Sequence, residues 1–370
     1  MRLYCKRKEN IFPASTTTMR IRWRPLVFVR NAWYVAAWSH EVARELVTRR
    51  ICDEPVCLYR TSGGDPVAMI DRCPHRLAPL SLGHLDGDAV QCMYHGITFD
   101  ATGTCVRVPG QDDFRNVAPV QTFPVVDRWG WLWIWMGDPA RADVSLIPDA
   151  HWLAEPGWTP VGGVMHFNAN YQLLVDNLLD LSHEAFTHAG TIGNAAVAET
   201  PIRVGGEGDG VRVERFMKNC APPPLFQRVC GFTTPIDRTQ IIEFAAPSYI
   251  MIDARAVPAA GVAHAETNGS TPGLEWRVLN AITPETETTC RYFWAVPRHF
   301  AQDDTEITTI IHDQILNTFN EDKLVIEGQQ IAMGTRSIDE RTVFTSFDAG
   351  ATRARKIVQR LLDAEQSVSA

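Results

Sequence analysis

Two short knuckles, Cys73-Pro74-His75 and Cys92-Met93-Tyr94-His95, are separated by sixteen residues, and they commit this stretch of the chain to holding metal. Two cysteines and two histidines could bind structural zinc, but zinc fingers usually pair cysteine with cysteine and histidine with histidine. Here each knuckle carries one of each. That arrangement suits a binuclear cluster in which both thiolates hold one iron, both imidazoles hold the other, and each loop spans the pair. Imidazoles in place of thiolates remove negative charge from the cluster and raise its potential, so it accepts electrons readily.

The surrounding sequence reads as short strands and turns. Val56–Tyr59, Val67–Ile70 and Gly96–Phe99 are strand segments, and Asp100-Ala101-Thr102-Gly103 is a hairpin turn before Thr104-Cys105-Val106. Trp129, Trp131, Trp133 and Trp135 alternate with other residues, so a strand puts the four indoles on one face, as a packed sheet face or domain interface. Pro139 ends that strand. A domain boundary is expected between Pro139 and Pro148, giving units at 28–140 and 141–370.

Composition narrows the class. A formal net charge of -8 gives no reason to expect nucleic acid, and no apolar run approaches a membrane span. The nine cysteines are scattered and odd in number, which points to a reducing compartment, the cytoplasm. Residues 1–27 stand apart, with Arg2, Lys6, Arg7, Lys8, Arg20, Arg22 and Arg24 against Glu9. They read as a disordered basic arm, or as sequence upstream of a start at Met19. No glycine-rich phosphate loop follows a strand, so neither a nicotinamide nor a flavin site is expected.

A second cluster of ligand-type residues lies in the second half, where a helix is expected from about Tyr171 to Phe186. Asp176, Asp180 and His183 fall at i, i+4 and i+7 on one helix face, with Asn177 beside them. His188 lies five residues beyond His183, so the helix must end or bulge if both imidazoles are to meet one ion. Two imidazoles and one carboxylate make the facial triad that leaves iron positions open. A long helix expected over 304–333 supplies the carboxylate. Asp322 sits in the gap of its apolar stripe of Ile307, Ile311, Ile315, Phe319 and Ile326, whereas Asp313 and Glu321 are expected in solvent and Glu327 at the stripe's edge. Strands near 241–252, 274–283 and 289–296, a hairpin across 205–210, a polar loop at 261–273 and a last helix near 348–364 complete an α+β pattern.

Residues 28–138 resemble the Rieske domain of aromatic-ring oxygenases, most closely the vanillate and dicamba O-demethylase branch. The resemblance rests on the run from Val29 to Ala37, on Cys73-Pro74-His75-Arg76, on Cys92-Met93-Tyr94-His95-Gly96 and on Trp133-Ile134-Trp135-Met136-Gly137-Asp138-Pro139, and it continues through the second half. It implies an all-β Rieske [2Fe-2S] domain followed by a helix-grip-like α+β catalytic domain with a mononuclear ferrous iron. Asn320-Glu321-Asp322-Lys323 matches the family segment that bears the third iron ligand. By resemblance the oxygenase takes O2 as co-substrate and electrons from a ferredoxin or an NAD(P)H-dependent reductase. It assembles as a homotrimer in which Asp180 links His95 of one subunit to His183 of the next.

The same resemblance implies monooxygenation of an alkyl carbon on a small substituted aromatic, with loss of that carbon as an aldehyde. Substrate contacts are expected between Leu225 and Trp294, with Ala245 and Asn280 at two positions that in aryl-acid demethylases hold the carboxylate. Neither is cationic, so neutral anilides and ethers stand level with aromatic acids. A ring cis-dihydroxylase, a Rieske electron carrier and a zinc-stabilised binding protein are the rival readings.

Overall fold

The computed structural model describes residues 27–260, 273–334, 336–337, 340–341 and 343–369. The expected arm at 1–27 and the loop at 261–273 lie almost wholly outside them.

The first part of the chain is all β. Strands β1 (Trp33–Trp38), β2 (Val47–Ile51), β3 (Glu54–Arg60), β4 (Pro66–Ile70), β5 (His84–Asp86), β6 (Ala89–Gln91), β7 (Thr98–Phe99), β8 (Cys105–Arg107), β9 (Val125–Arg128) and β10 (Trp131–Trp135) form three small antiparallel sheets, ordered β1-β10-β9, β2-β3-β4 and β5-β6-β7-β8. The turn at 100–103 forms as its sequence predicts. Asp100 Oδ1 accepts from the amides of Thr102 and Thr104, and Gly103 takes φ +82° where a Cβ would strike the Val120 carbonyl at 1.9 Å.

The tryptophan row is an interface. Trp131, Trp133 and Trp135 pack with Trp33 against Tyr249, Met251, Leu279 and Phe293 of the second domain. Burying an indole of roughly 150–250 Å² at ~25 cal/mol per Å² gives on the order of 4–6 kcal/mol each before entropy. Trp129, at φ +56° in the turn before β10, packs only partly buried at the edge of this cluster, with the Arg128 guanidinium 3.9 Å over its ring. Main-chain bonds add to the join, from Cys52 N to Pro284 O at 2.8 Å and from Asp53 N to Glu285 O at 2.9 Å.

The second domain is a seven-stranded antiparallel sheet gripping a long helix. After β11 (Gly162–Phe167) come α1 (Tyr171–Leu179), α2 (Glu184–Thr187), α3 (Ala195–Glu199), β12 (Arg203–Gly205), β13 (Gly210–Cys220), α4 (Pro224–Cys230), β14 (Ile236–Ala245), β15 (Tyr249–Pro258), β16 (Leu274–Thr286), β17 (Thr289–Ala295), α5 (Thr305–Met333) and α6 (Ala349–Ser369). The sheet order is β11-β17-β16-β15-β14-β13-β12. Asp304 caps α5 by accepting from the Ile307 amide, and the helix buries Ile311, Ile315, Phe319, Asp322 and Ile326, so the inward stripe falls where the sequence puts it.

The expected single helix over 171–186 does not form. Asp180 takes φ -126° and ψ 93°, and its carboxylate accepts from the Ser182 amide at 2.9 Å. An aspartate that bonds its own following backbone competes with the helix ladder, so α1 stops and a 3-10 turn over Leu181–His183 begins. Asp176 therefore leaves the ligand face and pairs with Arg355 of α6 at 2.7 Å.

Candidate metal centres

The two knuckles share one backbone design. Cys73 N donates to Ala78 O and Leu77 N to Cys73 O; Cys92 N donates to Ile97 O and Gly96 N to Cys92 O. In both, the residue four beyond the cysteine is left-handed, Leu77 at φ +57° and Gly96 at φ +70°. These paired turns bury both cysteines and expose both histidines, whose rings lie edge-on with centroids 4.6 Å apart. Thiols inward and imidazoles outward is the polarity a mixed-ligand cluster needs if electrons leave through histidine. On the same two loops Leu77, Met93 and Tyr94 are 68 %, 63 % and 56 % exposed, with the Tyr94 ring against His95.

The second centre is built from three elements. The break at Asp180 swings His183 inward, and its Nδ1 lies 2.6 Å from the Asp180 carbonyl. Helix α2 lasts a single turn and ends at His188, which is only 1 % exposed. Asp322 arrives from α5, with Oδ1 3.3 Å from His183 Nε2 and 3.1 Å from His188 Nε2. One donor atom from each of the three lies within 4.8 Å of the others. Asn177 Nδ2 donates to Asp322 Oδ1 at 3.0 Å. Burial pushes the Asp322 carboxyl up, but the two imidazoles outweigh it and bring it down to about 2. A carboxylate kept ionised beside two imidazoles in a buried pocket is a donor set that fits a divalent iron.

The two halves match known families. The Rieske [2Fe-2S] domain matches residues 32–124, and the vanillate O-demethylase oxygenase C-terminal domain matches residues 167–364. The chain belongs to the vanillate O-demethylase family of Rieske oxygenases. It is 38% identical to the toluene-4-sulfonate monooxygenase system iron–sulfur subunit of Comamonas testosteroni, over 93% of this chain and 100% of the relative. It is 34% identical to the oxygenase component of the chloroacetanilide N-alkylformylase of Rhizorhabdus wittichii, over 92% and 96%. The crystal structure of dicamba monooxygenase bound to 3,6-dichlorosalicylic acid superposes with a TM-score of 0.84 at 33% identity, covering 92% of this chain and 99% of that one.

Several expected contacts of this Rieske oxygenase take other forms. Glu321 is not simply solvated: its Oε2 lies 2.7 Å from His188 Nδ1, which fixes that ring from behind. The signal was its place next to Asp322 on the same helix turn. Within the chain, Asp180 meets His183 through its main-chain carbonyl, while Oδ1 of its carboxylate accepts from the Ser182 amide. Glu327, the rival third ligand, bonds Asn168 instead.

The residues expected at the substrate fall in several places. A mainly apolar cavity adjoins Asn177, His183, His188 and Asp322, walled by Leu181, Phe226, Ile252, Trp276, Val278 and Phe319. Ala245 lines a different groove beside Tyr249. Asn280 does not line the cavity; its amide donates to the carbonyls of Ile250 and Val278, and its oxygen accepts from Tyr292. Leu225 packs in the core beside Phe226, which lines the wall, and Trp294 meets Phe319 edge-on with centroids 5.4 Å apart. Sequence reasoning missed Arg238 and Gln240, which do line the cavity. On β14 they share the buried face with Ile236, Ile242 and Phe244, so polar residues in an apolar register were the available clue.

Proposed function

We propose that this chain is the terminal monooxygenase of a Rieske system and dealkylates a small substituted aromatic at oxygen or nitrogen. Cys73, His75, Cys92 and His95 would hold the [2Fe-2S] cluster, and His183, His188 and Asp322 the mononuclear iron. The observation that carries the reading is the convergence of those last three side chains against an apolar cavity in a chain that also carries the cysteine–histidine knuckles.

When bound, the two centres supply single electrons and activate O2, so that one oxygen atom enters an alkyl C–H bond. The chain's own part is positional. Leu181, Phe226, Ile252, Trp276, Val278 and Phe319 exclude water and hold an aromatic ring against the metal side of the cavity. Asn177 keeps Asp322 turned toward both imidazoles, while Glu321 fixes His188 and the Asp180 carbonyl fixes His183. Hydroxylation of a carbon bound to oxygen or nitrogen leaves a product that falls apart to an aldehyde and the dealkylated aromatic.

The assembly belongs to the same proposal. His75 and His95 face outward, so a second copy of the chain, arranged in a trimer, would bring its Asp180 to His95; ferredoxin or reductase feeds the cluster, and the setting is cytoplasmic. Residues 28–140 would form the cluster-bearing unit and residues 141–370 the catalytic unit. The test is incubation of the reconstituted system with acidic and neutral aryl methyl ethers and N-alkyl anilides, assaying aldehyde and cis-diol together. Oxygen-dependent aldehyde release is the predicted result, and diol formation without aldehyde contradicts it.

A further inference from the structure

One buried polar network ties the ligand-bearing segment to the sheet. Glu184 directly follows His183 and opens α2, the single turn that leads to His188. Its Oε2 accepts from Arg238 at 2.9 Å and its Oε1 from Gln240 at 2.9 Å. The other arm of the same guanidinium donates to the Ile192 carbonyl at 3.1 Å, four residues beyond His188. Gln240 is held in turn by Arg215, which donates to its side-chain oxygen at 3.3 Å. Arg238 thus grips the segment once just after the first histidine and once just past the second.

Stability alone is a poor reason for this device. Arg238 and Glu184 are 2 % and 4 % exposed, and ions taken that far out of water gain little over a well-packed apolar pair. What the ion pair adds is direction, because a guanidinium fork has fixed geometry and a methionine does not. The return of the chain is equally tight. A Cβ at Gly193 would stand 1.9 Å from the Glu184 carbonyl, so the loop after His188 lies directly on the turn after His183.

We propose that Arg238 is a positioning residue for the lone metal, setting the spacing of His183 and His188 through Glu184 and the Ile192 carbonyl. This rests on the assignment of His183, His188 and Asp322 as the metal site. Its neighbour Gln240 serves the same end from the next inward position of β14.

The test uses Co(II) as a spectroscopic probe, titrated into full-length protein that keeps its cluster but has been stripped of the lone metal. The double variant Glu184→Leu/Arg238→Met replaces the ion pair by an apolar pair and removes the geometry. Positioning predicts near wild-type melting temperature and cluster absorption, with Co(II) bound about tenfold more weakly or worse and with altered visible bands. Wild-type Co(II) affinity and bands in that variant overturn the proposal. Should the double variant not fold, Arg238→Lys replaces it, since an ammonium can reach Glu184 but cannot fork to Ile192 as well; weaker Co(II) binding supports the proposal and unchanged binding overturns it. A wild-type protein that takes up no Co(II) would instead sink the metal-site assignment itself.

Discussion

The two metal centres are finished to different degrees within one chain. At the lone-metal site each imidazole has a partner behind it: His183 has the Asp180 carbonyl, and His188 has Glu321. At the knuckles a pair of main-chain bonds closes each turn and both cysteines are buried, yet His75 and His95 stand at the surface, as do Leu77, Met93 and Tyr94 of the same loops. The contrast teaches that one centre is organised within its own domain, while the other presents its imidazoles at the surface, where the proposed relay between subunits would begin.

The sharpest break in that comparison is Asp322→Ala. It removes the carboxylate shared by both imidazoles, so the lone metal is lost and turnover falls by roughly a thousandfold or more, while the visible absorption of the cluster stays. Iron analysis with an absorption spectrum checks this; a fall in that absorption would mean the sites are not independent. Next comes Asp180→Asn. Both centres should assemble, because the main-chain carbonyl still meets His183, but turnover should drop by about a hundredfold or more if the carboxylate carries the inter-subunit link. Normal turnover by a fully loaded variant would remove Asp180 from the relay.

Glu321→Gln should weaken metal binding or activity by about tenfold to a hundredfold, because a neutral amide fixes the His188 ring less firmly than a carboxylate. Competition with a chelator measures it. The mildest expected change is Met93→Ser. The melting temperature of the dilute protein should hardly move, since the side chain is exposed, while self-association measured by sedimentation weakens. An unchanged association constant would place the covering surface elsewhere.

Legibility followed the range of the signal. The knuckles could be read because four ligands in two short loops are a local pattern, and their shared turn shows only in Gly96, whose counterpart Leu77 gives no hint. Asp322 could be read because helix phase alone puts it in the stripe with Ile315, Phe319 and Ile326. The break at Asp180 could not, since the same sequence supports helix continuation or an aspartate turn, and the turn wins where the Asp180 carboxylate accepts from the Ser182 amide. The cavity wall was hardest. Arg238 and Gln240 matter because β14 lies under the ligand segment, a contact across more than fifty residues of chain that no local pattern announces. For Ala245 and Asn280 the resemblance gives a place along a strand, but not which part of that strand faces the cavity.

The most direct test of two unlike centres in one chain is the metal content and colour of the purified protein. The account predicts brown protein with inorganic sulfide and a two-iron cluster, plus a lone iron that a chelator removes and ferrous salt restores together with activity. Colourless protein with zinc bound at Cys73, His75, Cys92 and His95 would contradict it.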